Sequence, residues 1–130
     1  MLRITALVLV FASISLAYPF VDFQPCDNTK PTPQLVEIDA CPSRDCTLTR
    51  GTSYDVKVSF VSPVDADQVF NMTGKLACDH GIVCPVFKGG YCMYTHPWTP
   101  MDFTGSSMTQ FSLVDEKQNT LVCFNMPMTE

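Results

Sequence analysis

Cysteine and histidine are the residues of this chain whose types and spacing could do chemistry. The 130 residues include seven cysteines and two histidines. Cys78, His80 and Cys84 fall within one short segment and could be drawn as three ligands of a metal ion. A disulfide between Cys78 and Cys84 would consume both thiols, and that is the expected outcome in an oxidising compartment. No metal site is therefore expected, and His80 reads as a solvated loop residue. His96 stands before Pro97 and Trp98 and also reads as a loop residue. There is no Gly-x-Ser-x-Gly elbow, no phosphate-binding glycine loop and no His-Glu-x-x-His motif. Acidic residues are scattered, so no carboxylate pair stands out. The expectation is a protein that is not an enzyme and uses no cofactor.

The compartment follows from the first residues. Met1-Leu2-Arg3 is a short basic start, Ile4 to Ala17 is almost uninterruptedly apolar, and Ser15-Leu16-Ala17 has the small residues of a cleavage site. This layout is a secretory signal peptide over residues 1–17, too short for a comfortable membrane span. The expected mature part is residues 18–130, which contains all seven cysteines. Without Arg3 it has seven Lys+Arg against thirteen Asp+Glu, a net charge of −6. A negative protein lacks the cationic face that nonspecific nucleic-acid binding requires, so no nucleic-acid partner is expected. The length suits one domain with a modest core.

Seven cysteines leave at least one thiol outside the intrachain disulfides, and six cysteines alone allow 15 pairings. Spacing favours two local pairs, Cys41 with Cys46 and Cys78 with Cys84. Cys26 and Cys123 lie near opposite ends, as partners in the terminal strands of a sandwich would.

The elements that must position these residues read as strands. Tyr54 to Phe60 alternates apolar and polar residues without a miss, which puts Tyr54, Val56, Val58 and Phe60 on a core face. Gln34 to Ala40 is weaker, with Val36, Ile38 and Ala40 on one face. Val69 to Gly74 is a further candidate, with Phe70 and Met72 inward. Tyr91 to Thr95 follows the Gly89-Gly90 turn. Met108 to Val114 groups Thr109, Phe111 and Leu113. A polar turn at Asp115 to Asn119 leads to a last strand, Thr120 to Met128, with Val122, Phe124, Met126 and Met128 together. Short strands separated by turn residues suggest an all-β sandwich.

Asn71-Met72-Thr73 is an N-glycosylation sequon. Its use requires an outward Asn71, which agrees with Phe70 and Met72 facing inward. Intact mass before and after deglycosylation would check both this and loss of the first 17 residues. Six methionines remain in the mature part, as core filling or as a deformable cavity wall.

The segment Cys41-Pro42-Ser43-Arg44-Asp45-Cys46-Thr47-Leu48-Thr49-Arg50-Gly51 runs straight into the alternating strand. Farther on come Cys78-Asp79-His80-Gly81-Ile82-Val83-Cys84-Pro85, then Tyr94, then Phe111 to Asp115, and finally Leu121-Val122-Cys123-Phe124. In this order, after a signal peptide and an early Cys26, the chain resembles the ML (MD-2-related lipid-recognition) family, nearest its soluble sterol-carrier branch. The resemblance spans roughly Phe20 to Met128. It implies an immunoglobulin-like β-sandwich whose sheets part to hold a lipid. It also implies disulfides Cys26–Cys123, Cys41–Cys46 and Cys78–Cys84, with Cys92 left over. The implied lipid-lining residues are Leu48, Val56, Phe111, Phe124 and Met126, with Pro97, Trp98 and Phe103 at the pocket mouth.

One departure from the family pattern matters. Relatives carry a proline-rich stretch before the cysteine matched by Cys78, whereas here Gly74-Lys75-Leu76-Ala77 runs almost directly into it. The missing piece includes an aromatic residue at the pocket mouth and part of an edge strand. A more open pocket, a shifted ligand range and loss of binding are the three outcomes this allows. The functional expectation is a secreted or lysosomal carrier, acting as a monomer, that binds a sterol or related lipid and hands it to a membrane or receptor. The alternative is an extracellular recognition or co-receptor protein of innate immunity type. A lipid hydrolase ranks third.

Overall fold

The computed structural model describes residues 20–41, 44–100 and 107–129. Among them the regular structure is entirely β, in eight strands. These are β1 (Gln24–Pro25), β2 (Leu35–Ile38), β3 (Leu48–Thr49), β4 (Tyr54–Val61), β5 (Val69–Phe70), β6 (Tyr91–Trp98), β7 (Met108–Asp115) and β8 (Thr120–Thr129). One sheet has the antiparallel order β2-β4-β6. The other runs β1-β8-β7-β5, and β3 adds to β8 in parallel. No helix among the described residues is long and apolar enough to cross a membrane.

The alternation read from the sequence builds the core directly. Val56, Val58 and Phe60 of β4 are buried, as are Val36 and Ile38 of β2. Thr109, Phe111 and Leu113 of β7 face Val122, Phe124 and Met126 of β8, also buried. Register pairs Phe111 with Phe124 and Leu113 with Val122, so the pleat points both sets into the space between the sheets.

β8 departs from simple alternation, because Leu121 and Cys123 on its opposite face are buried as well. The N-terminal segment is fastened to Cys123 on that face. β1 pairs with β8 through Gln24 and Pro25, the Cys26–Cys123 disulfide fastens it, and the Cys123 N–H donates to the Pro31 carbonyl at 2.8 Å. The disulfides Cys41–Cys46 and Cys78–Cys84 are also formed, so Cys78 and Cys84 cannot ligate a metal as thiolates. Cys92 is free and buried, and burial pushes its thiol pKa up, which keeps it protonated and unreactive.

Several expectations change. β2 stops at Ile38, and Ala40 is exposed with φ at +64°, so it belongs to a turn and not to the core face. The strand at Val69 is only two residues long. Val69 is the buried residue there, Phe70 is half-buried and Met72 is exposed. The cause is Asn71, whose side-chain oxygen accepts from the N–H and hydroxyl of Thr73 and from the Lys75 N–H. This closed Asn turn, with Gly74 at φ +80°, reverses the chain where a strand had been expected. β6 extends past Thr95 to Trp98, so His96, Pro97 and Trp98 are strand residues and not loop residues.

The β7–β8 turn is held by Asp115. Its carboxylate is buried and accepts from the N–H groups of Lys117 and Asn119 and from the Asn119 side-chain amide. Burial alone would raise its pKa, but these hydrogen bonds prevail and hold it below the ordinary carboxylate value.

Candidate functional site

The short β5 decides where the sandwich opens. It pairs with β7 only at Val114 and Asp115, so among the described residues no strand pairs with the Met108–Ser112 part of that edge. Facing it across the gap is β6, the last strand of the other sheet. Between the two edges lies a pocket of about 460 Å³. Its walls are Tyr94, His96, Pro97, Trp98 and Thr99 from the β6 side, Thr109, Gln110 and Phe111 from β7, and the Asn71–Lys75 turn.

The pocket floor is aromatic. Trp98 and Phe111 meet edge to face with centroids 5.4 Å apart, and Tyr94 lies 5.6 Å from Phe111. Behind Phe111 stands Phe124, stacked at 5.1 Å. The rim is polar. The Asn71 amide nitrogen donates to the Tyr94 hydroxyl at 3.3 Å. Burial raises the Tyr94 pKa, and the Asn71 bond offsets part of that. The two histidines meet here, with Nδ1 atoms 3.1 Å apart and ring centroids at 3.9 Å. His80 reaches His96 because the Cys78–Cys84 loop lies against β6. The Thr95 N–H donates to the His80 carbonyl at 2.8 Å. Gly81, at φ +96°, has room for no side chain, since an added Cβ would come within 2.6 Å of the Met93 carbonyl. Burial lowers the His96 pKa below its ordinary 6.5, helped by the neighbouring His80 and Lys75.

A second hollow, of about 560 Å³, lies where Phe20–Phe23 and Arg44 flank β2. Its walls come from that edge alone, whereas the β6–β7 pocket reaches the inner faces of both sheets, so the functional site is assigned to the latter.

A sequence profile described as the ML domain matches residues 20–130. The chain belongs to the ML domain family. The mouse and bovine proteins named NPC intracellular cholesterol transporter 2 are similar to it, each 25% identical over 143 residues that cover 98% of this chain and 95% of theirs. That alignment is longer than the 130 residues of this chain, so the relatives carry residues that it lacks. A solved structure, of a Niemann-Pick type C2 protein from the Japanese carpenter ant, shares the fold at a TM-score of 0.57. It is 19% identical and covers 82% of this chain and 97% of its own.

The residues that the sequence assigned to lipid lining divide in this ML domain. Pro97, Trp98 and Phe111 wall the pocket. Leu48, Val56, Phe124 and Met126 are fully buried and are not in its wall. Phe103 lies outside the described residues. Asn71, the sequon residue, is half-buried, and its amide nitrogen is turned to the Tyr94 hydroxyl. Tyr94, Lys75 and the His80–His96 pair are the site residues that sequence reasoning missed. Inward alternation along β6 marks Tyr94, but no sequence spacing joins His80 to His96, which lie on different elements.

Proposed function

We propose that this ML domain binds a sterol or related lipid noncovalently and transfers it, without catalysis, as a secreted or lysosomal protein. The observation that carries this reading is the aromatic-floored pocket between the sheets, beside the part of the β7 edge that β5 leaves unpaired. Its volume falls within the usual range of small-molecule sites. A sterol is a rigid apolar body with one hydroxyl, and apolar burial contributes about 25 cal/mol per Å². Trp98, Phe111 and Tyr94 supply apolar area, while the Asn71 amide and Tyr94 hydroxyl at the rim suit a single polar head. Phe124 and Met126 lie deeper and would line the ligand only as the sheets part, a movement that the flexible Met126 side chain eases.

Trp98 is the sole tryptophan and forms part of the wall, which makes it a built-in reporter. Titration with a naturally fluorescent sterol should give saturable energy transfer from Trp98 at one sterol per protein. A folded protein that shows no transfer at micromolar sterol would overturn the sterol reading.

A further inference from the structure

The rim chemistry of the pocket is one-sided. The protein as a whole is acidic, yet no Asp or Glu is found among the described residues that wall the pocket. The rim offers donors instead: the Lys75 ammonium, the His96 imidazole, the Asn71 amide and the Tyr94 hydroxyl. His80 stands behind His96 with its Nδ1 at 3.1 Å. Two imidazole nitrogens at that distance share one proton. A protonated His96 that shares its Nδ1–H with His80 keeps its Nε2–H as a further donor. Deepening the lipid-binding reading of this same pocket, on which it rests, we propose that Lys75 and His96 form an acid-activated anion subsite. It would take the permanently anionic head of a single-tailed amphiphile, a sulfonate, sulfate or phosphodiester, with the tail against Trp98 and Phe111.

The surroundings set the direction of the pH dependence. Lys75 reaches His96 from the Asn71–Lys75 turn, His80 from the disulfide loop and Tyr94 from the same strand. On β4 the cross-strand partner of His96 is Val56, and Asp55 and Lys57 stand opposite Pro97 and Thr95 on the other face of the sheet. Asp79 is exposed and outside the pocket wall. Among the described residues, every ionisable group facing His96 from the rim is therefore a base or a phenol. Its pKa is already below the ordinary 6.5, so it is neutral at pH 7.5 and becomes a cation on acidification. A bound anion favours that cation. By linkage, binding takes up a proton and strengthens as pH falls.

The test compares N-oleoyltaurine with N-oleoylethanolamine, which share tail and amide and differ in sulfonate against hydroxyl. Affinities would be measured at pH 7.5 and 5.0 on the oxidised protein. The expected result is a modest preference for the sulfonate at pH 7.5, supplied by Lys75, that grows by about tenfold at pH 5.0, the size of one added charge-assisted contact. Lys75→Gln and His96→Gln should each shrink that preference at pH 5.0. Lys75 is on an exposed turn, so its variant keeps the test open if the strand variant folds poorly. A preference that is equal at both pH values, or unmoved by both variants, would overturn the subsite. Sterol uptake without binding of either amphiphile would overturn the subsite and leave the carrier reading standing. A folded protein that binds neither amphiphile nor sterol would overturn both.

Discussion

Replacing Phe124 by alanine is expected to cost about 3–5 kcal/mol of stability, the range for deleting a buried aromatic side chain. Phe124 is 0% exposed. Its ring stacks on Phe111 at 5.1 Å, meets Phe23 at 5.6 Å and lies edge to face with Trp98 at 6.3 Å. The cavity left by Phe124→Ala would open under both pocket aromatics, and their contacts would be lost with it. Denaturant unfolding reads this as a fall in midpoint at an unchanged slope. Lipid affinity of the folded variant should change little, because Phe124 is not in the pocket wall. A binding loss beyond about tenfold with less than about 1 kcal/mol of destabilisation would contradict this. It would mean that the sheets part as far as Phe124 when a ligand enters.

Removing the Cys26–Cys123 link should be equally severe. The bond joins residues 97 apart, and the chain-entropy argument assigns about 4–5 kcal/mol to a closure of that length, against about 2 for Cys41–Cys46. The loss would be local as well as entropic. The segment held by Cys26 pairs with β8 at Phe124 and Asn125 and accepts a hydrogen bond from Cys123 through Pro31. Typical domains are stable by only about 5–15 kcal/mol. The double variant Cys26→Ser/Cys123→Ser should therefore unfold at much lower temperature than Cys41→Ser/Cys46→Ser. Equal midpoints for the two would show that β1 and the segment after it hold to β8 without the disulfide.

These two effects rest on features that were legible in the sequence to different degrees. The cysteine order, matched to a family, marked all three pairings, since each pairing constrains a loop whose length is written in the chain. The inward residues of β4, β7 and β8 were legible because a pleated strand with one face in a core repeats every two residues. Periodicity failed at Val69 to Gly74, where a local competition, the Asn71 side chain capturing the N–H groups of Thr73 and Lys75, outweighed strand propensity. It also failed at the far face of β8, where Leu121 and Cys123 are buried and Cys123 is bonded to Cys26, 97 residues away in the chain.

By itself, the sequence determined the long strands β4, β7 and β8 with their inward faces and favoured the two local disulfides, because each depends on residues close in the chain, while the full disulfide set and the shortened stretch before Cys78 came from the family resemblance. Tertiary structure alone decided which inward aromatics wall a pocket and which fill the core, since the pleat says which way a side chain points but not how far apart two sheets stand. It alone brought His80 to His96, Asn71 to Tyr94 and Lys75 to the same rim. Those contacts join a disulfide loop, a tight turn and a strand edge, and nothing in their sequence spacing encodes the distance between them.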